Sequence, residues 1–161
     1  MANPVDPKFL AAWSLFIRAH SRVLRRLDEE LRAECGVSIE RFDVLMKLWQ
    51  TMRPMQMHEV AESLFLSRSG ATRFIDRLEE AGLVTRESIR HDRRGIAITL
   101  TPRGLEKLHE AQAIHLRGIQ EHFINLLTAD EVQSFHSAFE KILNAAETPD
   151  LADEQHIPDS G

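Results

Sequence analysis

HEVAESLFLSRSGATRFIDRLEEAGLVTRESIRHDRRGIAITLT, His58 to Thr101, is the stretch on which the reading of this chain turns. Val60, Ala61 and Leu64 fall on one side of a short helix. Ser67 is suited to cap a second helix, because its hydroxyl can accept an orphan backbone N–H. Along that second helix Ala71, Phe74, Ile75 and Leu78 recur at spacings of three and four and form an inward stripe. The other face then carries Arg68, Ser69, Thr72, Arg73, Asp76 and Arg77. Gly82 follows the last turn, where a left-handed residue commonly closes a helix. Leu83–Ile89 and Ile96–Leu100 have strand character, and the second alternates Ile96, Ile98 and Leu100 with small or polar residues. Between them lies the polar tip Arg90-His91-Asp92-Arg93-Arg94-Gly95.

An arginine-rich helix face interleaved with short hydroxyls suits a DNA major groove. Arginine pairs bidentately with guanine, and serine or threonine reaches base edges or phosphates. An arginine-tipped hairpin beside it suits a minor groove or the phosphates. Singly, the two elements read more simply as a solvated helix and a charged turn. In this order and together they read as a winged helix-turn-helix.

The runs LSRSGATRFIDRLEEAGLVTR (Leu66 to Arg86) and DRRGIAITLTPRG (Asp92 to Gly104) resemble the MarR family of bacterial transcription regulators. The family's wing pattern, Asp-x-Arg, five residues, then Leu-Thr, corresponds to Asp92, Arg94, Leu100 and Thr101, and the resemblance extends over roughly residues 8 to 146. It implies that Ser67 caps the recognition helix and that Arg68, Ser69, Thr72 and Arg73 are the leading DNA contacts, with Arg77 on phosphate. It implies further that Arg94 enters the minor groove, oriented by a salt bridge from Asp92. Arg90 and Arg93 are then phosphate contacts, while Arg86 and Arg103 read as solvated side chains.

Composition fits a single domain over 1–161. Hydrophobic residues make up 43% and charged residues 28%, ordinary for a globular protein. One cysteine excludes an internal disulfide framework and suits a reducing cytoplasm. No apolar run approaches the ~18 residues of a membrane span. Phe9–Ile17 matches a signal-peptide core, but its stripe continues through charged residues to Leu31, as in a helix of the mature protein. The net charge of −5 hides a division. Residues 1–65 carry nine basic and nine acidic side chains, residues 66–104 eight against five, and residues 105–161 three against eleven. The positive charge is thus gathered on the reading head, where electrostatic steering needs it.

Outward from the head, Asp6-Pro7 starts a helix by cap and proline logic. Leu10, Trp13, Ile17, His20, Leu24, Leu27 and Leu31 make a heptad seam along it, with Phe9, Phe16 and Val23 as a second row. Cys35-Gly36 closes this helix near Glu34. Ser38 caps the next, whose expected buried stripe is Phe42, Leu45, Met46, Trp49 and Met52. Met55–Met57 reads as a short strand pairing with the hairpin. No strong cap precedes His58. Thr101-Pro102 opens a long helix with apolar positions Leu105, Leu108, Leu116, Ile119, Phe123 and Leu126. Thr128-Ala-Asp-Glu131 is a capping box for the last helix, whose apolar face is Val132, Phe135, Phe139, Ile142 and Leu143.

The expectation is therefore a mainly α protein with a small β-hairpin wing. Residues 36–101 form the winged helix-turn-helix, 6–35 and 102–146 form dimerisation helices, and 147–161 form a disordered, acidic tail. The terminal helices carry more apolar surface than the head can cover, which favours a two-fold homodimer on a palindromic double-stranded operator. The resemblance implies the same, together with a small aromatic or phenolic effector held between dimer helices and head. Candidates for that pocket are Trp13, Phe16, His20, Phe42, Met46, Trp49 and His58, although ordinary core packing accounts for such residues more simply.

A thiol sensor in relatives lies early in the first helix, so Cys35, at that helix's end, reads as a buried hydrophobe. For metal, His115 and His122 are about 10.5 Å apart along a helix, too far to share an ion, so ligands have to gather across helices. Phosphate-cradling glycine loops, His-Glu-x-x-His and Gly-x-Ser-x-Gly are all absent, which argues against an enzyme. The expectation is a cytoplasmic repressor without a cofactor. A winged helix used for protein contact is the competing class, and Arg68, Arg73 and Arg94 weigh against it.

Overall fold

The computed structural model describes residues 5–63, 66–88 and 96–147. They belong to two compact units, Met1–Phe123 and Ile124–Gly161.

The first unit opens with α1 (Pro7–Cys35). The Asp6 carboxylate accepts the Lys8 N–H at 2.8 Å, Pro7 fills the first turn, and Gly36 at φ 71° ends the helix. α2 (Ile39–Thr51) starts at Ser38, whose hydroxyl accepts the Arg41 N–H. Its first N–H, from Ile39, goes to the Asp28 carboxylate of α1 at 2.9 Å, which pins the α1–α2 corner. Burial pushes the Asp28 pKa up, but the Arg32 guanidinium and the Ile39 N–H outweigh that and hold it below its ordinary value.

β1 (Met55–Gln56), α3 (Met57–Ser63), α4 (Arg68–Glu80), β2 (Val84–Ser88), β3 (Ile96–Leu100) and α5 (Pro102–His122) complete the unit. The strands form an antiparallel sheet in the order β1-β3-β2, with Met55 opposite Ile98 and β2–β3 pairs running from Val84–Leu100 to Ser88–Ile96. Leu31, Leu45, Ile75, Leu78, Ile98 and Leu108 are fully buried and join α1, α2, α4, β3 and α5 in one core.

Two joints hold the reading elements. Gly82 leaves α4 at φ +69°, the left-handed stop its sequence predicts. Thr101 then gathers the strand ends. Its hydroxyl donates to the Gly82 carbonyl at 2.6 Å and accepts the Gly104 N–H at 2.9 Å, while its own N–H reaches the Leu83 carbonyl at 3.1 Å. Gly104 lies so close to β2 that a Cβ there would stand 1.9 Å from the Leu83 oxygen.

α3 is capped by a device that sequence reading missed. The Glu59 carboxylate reaches back to the Gln56 N–H at 2.7 Å, the second half of a capping box, and is clamped by the Arg53 guanidinium. The Arg53 hydrogen bond and the Gln56 N–H hold the Glu59 pKa down at about 2.

The second unit contains a 3₁₀ turn (Ile124–Leu126) and α6 (Ala129–Glu147). Thr128 and Glu131 exchange the expected capping-box bonds, the carboxylate accepting the Thr128 N–H at 2.8 Å. Val132, Phe135, Ile142 and Leu143 of α6 are exposed and Phe139 is half-buried.

Several sequence expectations need correction. Trp49 and Met52 are exposed: the buried stripe of α2 runs Phe42, Leu45 and Leu48 with Val44 beside it, which leaves Trp49 off its edge, and Met52, at φ 50°, lies beyond the last helical residue. α5 ends at His122, and its inward face passes through Leu108, Ala111, Ile114 and Gly118 while Leu105 and Leu116 are exposed. Close helix packing is the reason: a Cβ at Gly118 would come within 2.5 Å of Leu27 Cδ2 on α1. Leu126, exposed, lies in the 3₁₀ turn. In β3 the neighbours Ala97 and Ile98 are both buried and Ile96 is exposed, so the strand does not alternate cleanly. Leu64, Ile89, the wing tip and the chain beyond Glu147 lie outside the described residues.

Candidate nucleic-acid interface

α4 presents its polar face as the sequence predicts. Ser67 caps it, its hydroxyl accepting the Gly70 N–H at 3.2 Å and lying 3.2 Å from the Ser69 hydroxyl. Ala71, Ile75 and Leu78 anchor the helix in the core, so the side chains of the opposite face have a fixed base. Arg68, Ser69, Thr72, Arg73 and Arg77 are all exposed. Thr72 donates its hydroxyl to the Arg68 carbonyl at 3.0 Å, which leaves its oxygen lone pairs outward as acceptors. Arg77 lies over the Phe74 ring, 5.7 Å from its centre. Among the described residues Arg68, Arg73 and Arg77 have no carboxylate partner.

Arg86 accounts for part of that imbalance. Expected to be plainly solvated, it is instead a buckle between β2 and α4. One guanidinium nitrogen meets Glu79 at 2.6 Å; the other meets Asp76 at 2.7 Å and the Thr72 carbonyl at 3.4 Å. Its backbone N–H also donates to Glu79 at 3.3 Å. Two carboxylates that would repel a phosphate backbone are thereby both engaged and their combined charge halved on the recognition helix itself, and the wing strand is fastened to it. The clue available in the sequence was the pair Asp76 and Glu79, three apart on one helix flank. Arg103 is exposed, as expected. Arg90, Asp92, Arg93 and Arg94 lie outside the described residues; β2 and β3, which lead to them, are paired out to Ser88–Ile96.

The pocket candidates fall into separate groups. Trp13, Phe16 and His20 form a ladder along α1, with ring centres 5.8 and 6.0 Å apart, and Trp13 and His20 are exposed. Phe42 is buried and stacks 4.5 Å from His115 of α5, a residue that sequence reading did not associate with it. Burial lowers the His115 pKa and so favours the neutral ring. Met46 is half-buried, and Trp49 and His58 are exposed. Cys35 is buried, its thiol donating to the Leu31 carbonyl at 3.1 Å. Among the described residues one mixed group, Glu30, Glu121 and His122, brings its ligand atoms within 4.8 Å of one another. His122 and Glu30 already pair with each other there at 2.5 Å.

A recognition helix fixed to a small antiparallel wing, with its arginines turned outward, defines a winged helix-turn-helix DNA-binding protein. Residues 37–96 match the model of the MarR family. The chain is 32% identical over 133 residues to the HTH-type transcriptional regulator PrsX of Escherichia coli, covering 80% of this chain and 77% of the relative. It is 28% identical over 139 residues to the HTH-type transcriptional repressor MdtR of Bacillus subtilis, covering 86% and 85%. Among solved structures it is similar to AbsC, a MarR family regulator from Streptomyces coelicolor, with TM-score 0.80 and 25% identity over 90% of this chain and 98% of that one. Sco3205 from the same organism, solved in complex with DNA, matches with TM-score 0.82 and 23% identity over 92% and 94%. The chain belongs to the MarR family and is a DNA-binding transcription regulator, not an enzyme.

Proposed function

We propose that this regulator is a homodimeric repressor of the cytoplasm that reads a near-palindromic double-stranded operator and releases it on binding a small aromatic or phenolic anion. Arg68, Ser69, Thr72 and Arg73 contact base edges from α4, and Ser67 sets the helix start. Arg77, Arg90 and Arg93 contact phosphates, and Arg94, steadied by Asp92, enters the minor groove. The observation that carries the reading is the outward arginine face of α4, without a carboxylate partner among the described residues, beside a wing strand locked to it by Arg86.

The dimer is supported by α1. Phe9, Leu10, Trp13, Ile17 and Leu24 are between 38% and 71% exposed on one helix, a contiguous apolar surface of the kind soluble monomers rarely leave bare. The repressor role is supported by the relative MdtR, which is named a repressor, and operator binding by a mutant of MarR from E. coli, solved with operator DNA at 25% identity and TM-score 0.73. The effector reading rests on the Trp13–Phe16–His20 ladder and the Phe42–His115 stack. The buried, hydrogen-bonded Cys35 thiol disfavours a thiol-responsive alternative.

Selection from a random duplex pool tests the proposal. The parent should enrich a palindrome, and Arg73→Ala should bind that palindrome at least tenfold more weakly with relaxed preference at one position per half-site. Enrichment of no sequence would favour the protein-contact class.

A further inference from the structure

A cleft of about 340 Å³ opens where the α1–α2 corner approaches α4. Arg32, Ser38, Glu40 and Arg41 line one side, and Phe74 and Arg77 the other. Its charges do not balance. Arg32 is committed, with Nε 2.7 Å from Asp28 and a second nitrogen 3.7 Å from Glu40. Arg41 and Arg77, on opposite walls, have no carboxylate partner among the described residues. Two backbone donors at the start of α2 are already taken: Ile39 donates to Asp28 and Arg41 to the Ser38 hydroxyl. The charge available to an anion here is therefore chiefly that of the guanidinium groups.

We infer that this cleft takes a backbone phosphate of the operator, clamped between Arg41 and Arg77. The inference rests on the DNA-reading role of α4 and extends its footprint to α2. Continuity supports it. Arg77 follows Arg73 by four residues and so shares its flank of α4, which places the cleft at the end of the proposed base-reading row. Charge complementarity supports it too, since paired guanidinium forks match phosphate geometry. A small aromatic anion needs apolar walls, and the cleft offers one aromatic ring, that of Phe74, already stacked on Arg77.

The test uses the full chain and the duplex the parent selects. Arg41→Gln should weaken binding about five- to tenfold at low salt and reduce the slope of log affinity against log salt by about 0.9, the share of one phosphate. It should leave the order of preference among sequences unchanged, and Arg41→Lys should restore the slope. A duplex carrying a neutral methylphosphonate at the contacted position should cost the parent the same factor and Arg41→Gln nothing further. An unchanged slope in Arg41→Gln, altered base preference, or equal losses by parent and variant on the neutral duplex would each overturn the clamp. If the parent itself selects no duplex, the DNA reading of α4 fails; if the parent binds and Arg41→Gln matches it, the clamp alone fails. Matching thermal melts for parent and variant attribute the change to the contact and not to folding.

Discussion

Replacing Gly104 by alanine sets two physical rules against each other. Gly104 occupies the first turn of α5, where helix propensity favours alanine by about 1 kcal/mol. The local geometry opposes it. The new Cβ would stand 1.9 Å from the Leu83 oxygen and 2.9 Å from its carbon. A comfortable carbon–oxygen contact is about 3.3 Å, so α5 has to retreat by roughly 1.4 Å. That displacement strains three hydrogen bonds at once: Thr101 hydroxyl to Gly82, Thr101 N–H to Leu83, and Gly104 N–H to Thr101. At about 1 kcal/mol each the loss is about 3 kcal/mol. Subtracting the propensity gain leaves a net destabilisation of about 2 kcal/mol, or a melting temperature lower by about 4–8 °C for a chain of this size. Circular dichroism melts and urea titration of Gly104→Ala beside the parent measure it. A variant as stable as the parent, or more stable, refutes the close-approach reasoning and makes this glycine an ordinary helix residue.

Other consequences follow from the same geometry. Arg86→Met keeps the bulk of the side chain and removes the ion pairs. Asp76 and Glu79 are 45% and 38% exposed, so solvent screening limits the stability loss to about 1 kcal/mol. DNA affinity should fall more than tenfold as two bare carboxylates appear on α4; melts beside low-salt binding separate the two effects, and unchanged affinity would contradict the buckle. Glu59 is held at a pKa of about 2 against an ordinary 4.5. A depressed carboxylate contributes stability that is fully present above 4.5 and lost as pH falls from there toward 2. Glu59→Gln should therefore flatten the acid limb of the stability profile in that window, and identical limbs would dismiss the Arg53–Glu59–Gln56 cap. Trp13→Glu puts a charge on the bare face of α1 and should shift sedimentation from dimer to monomer with little change in circular dichroism. A parent that sediments as a monomer removes the basis for this prediction.

Much of the fold was legible because helix ends are written locally. Asp6-Pro7, Ser38, Ser67, Thr101-Pro102 and Thr128/Glu131 each cap the helix they were expected to cap, and Gly82 takes the left-handed turn. Hydrophobic periodicity also placed the buried stripe of α4. It failed in α5, where close packing against α1 selects Ala111 and Gly118, residues a search for large apolar side chains passes over. It failed at the end of α2, where the chain stops being helical before Met52 can turn inward. The exposed reading face of α4 was visible as a mixture of arginine and hydroxyl residues. The Arg86 buckle was not, because the meaning of an arginine on a strand depends on which helix flank packs beside it. The same holds for the cleft, whose walls are 36 positions apart in the chain at Arg41 and Arg77.

In the proposed complex α4 and its wing read an operator as a symmetric pair. Hydroxyl-radical footprinting of the parent on its selected duplex addresses this most directly. Two protected patches related by a dyad are expected, with centres about one helical turn, or ~34 Å, apart. A single unpaired patch would contradict the two-fold pair, and even protection along the whole duplex would contradict sequence-specific reading.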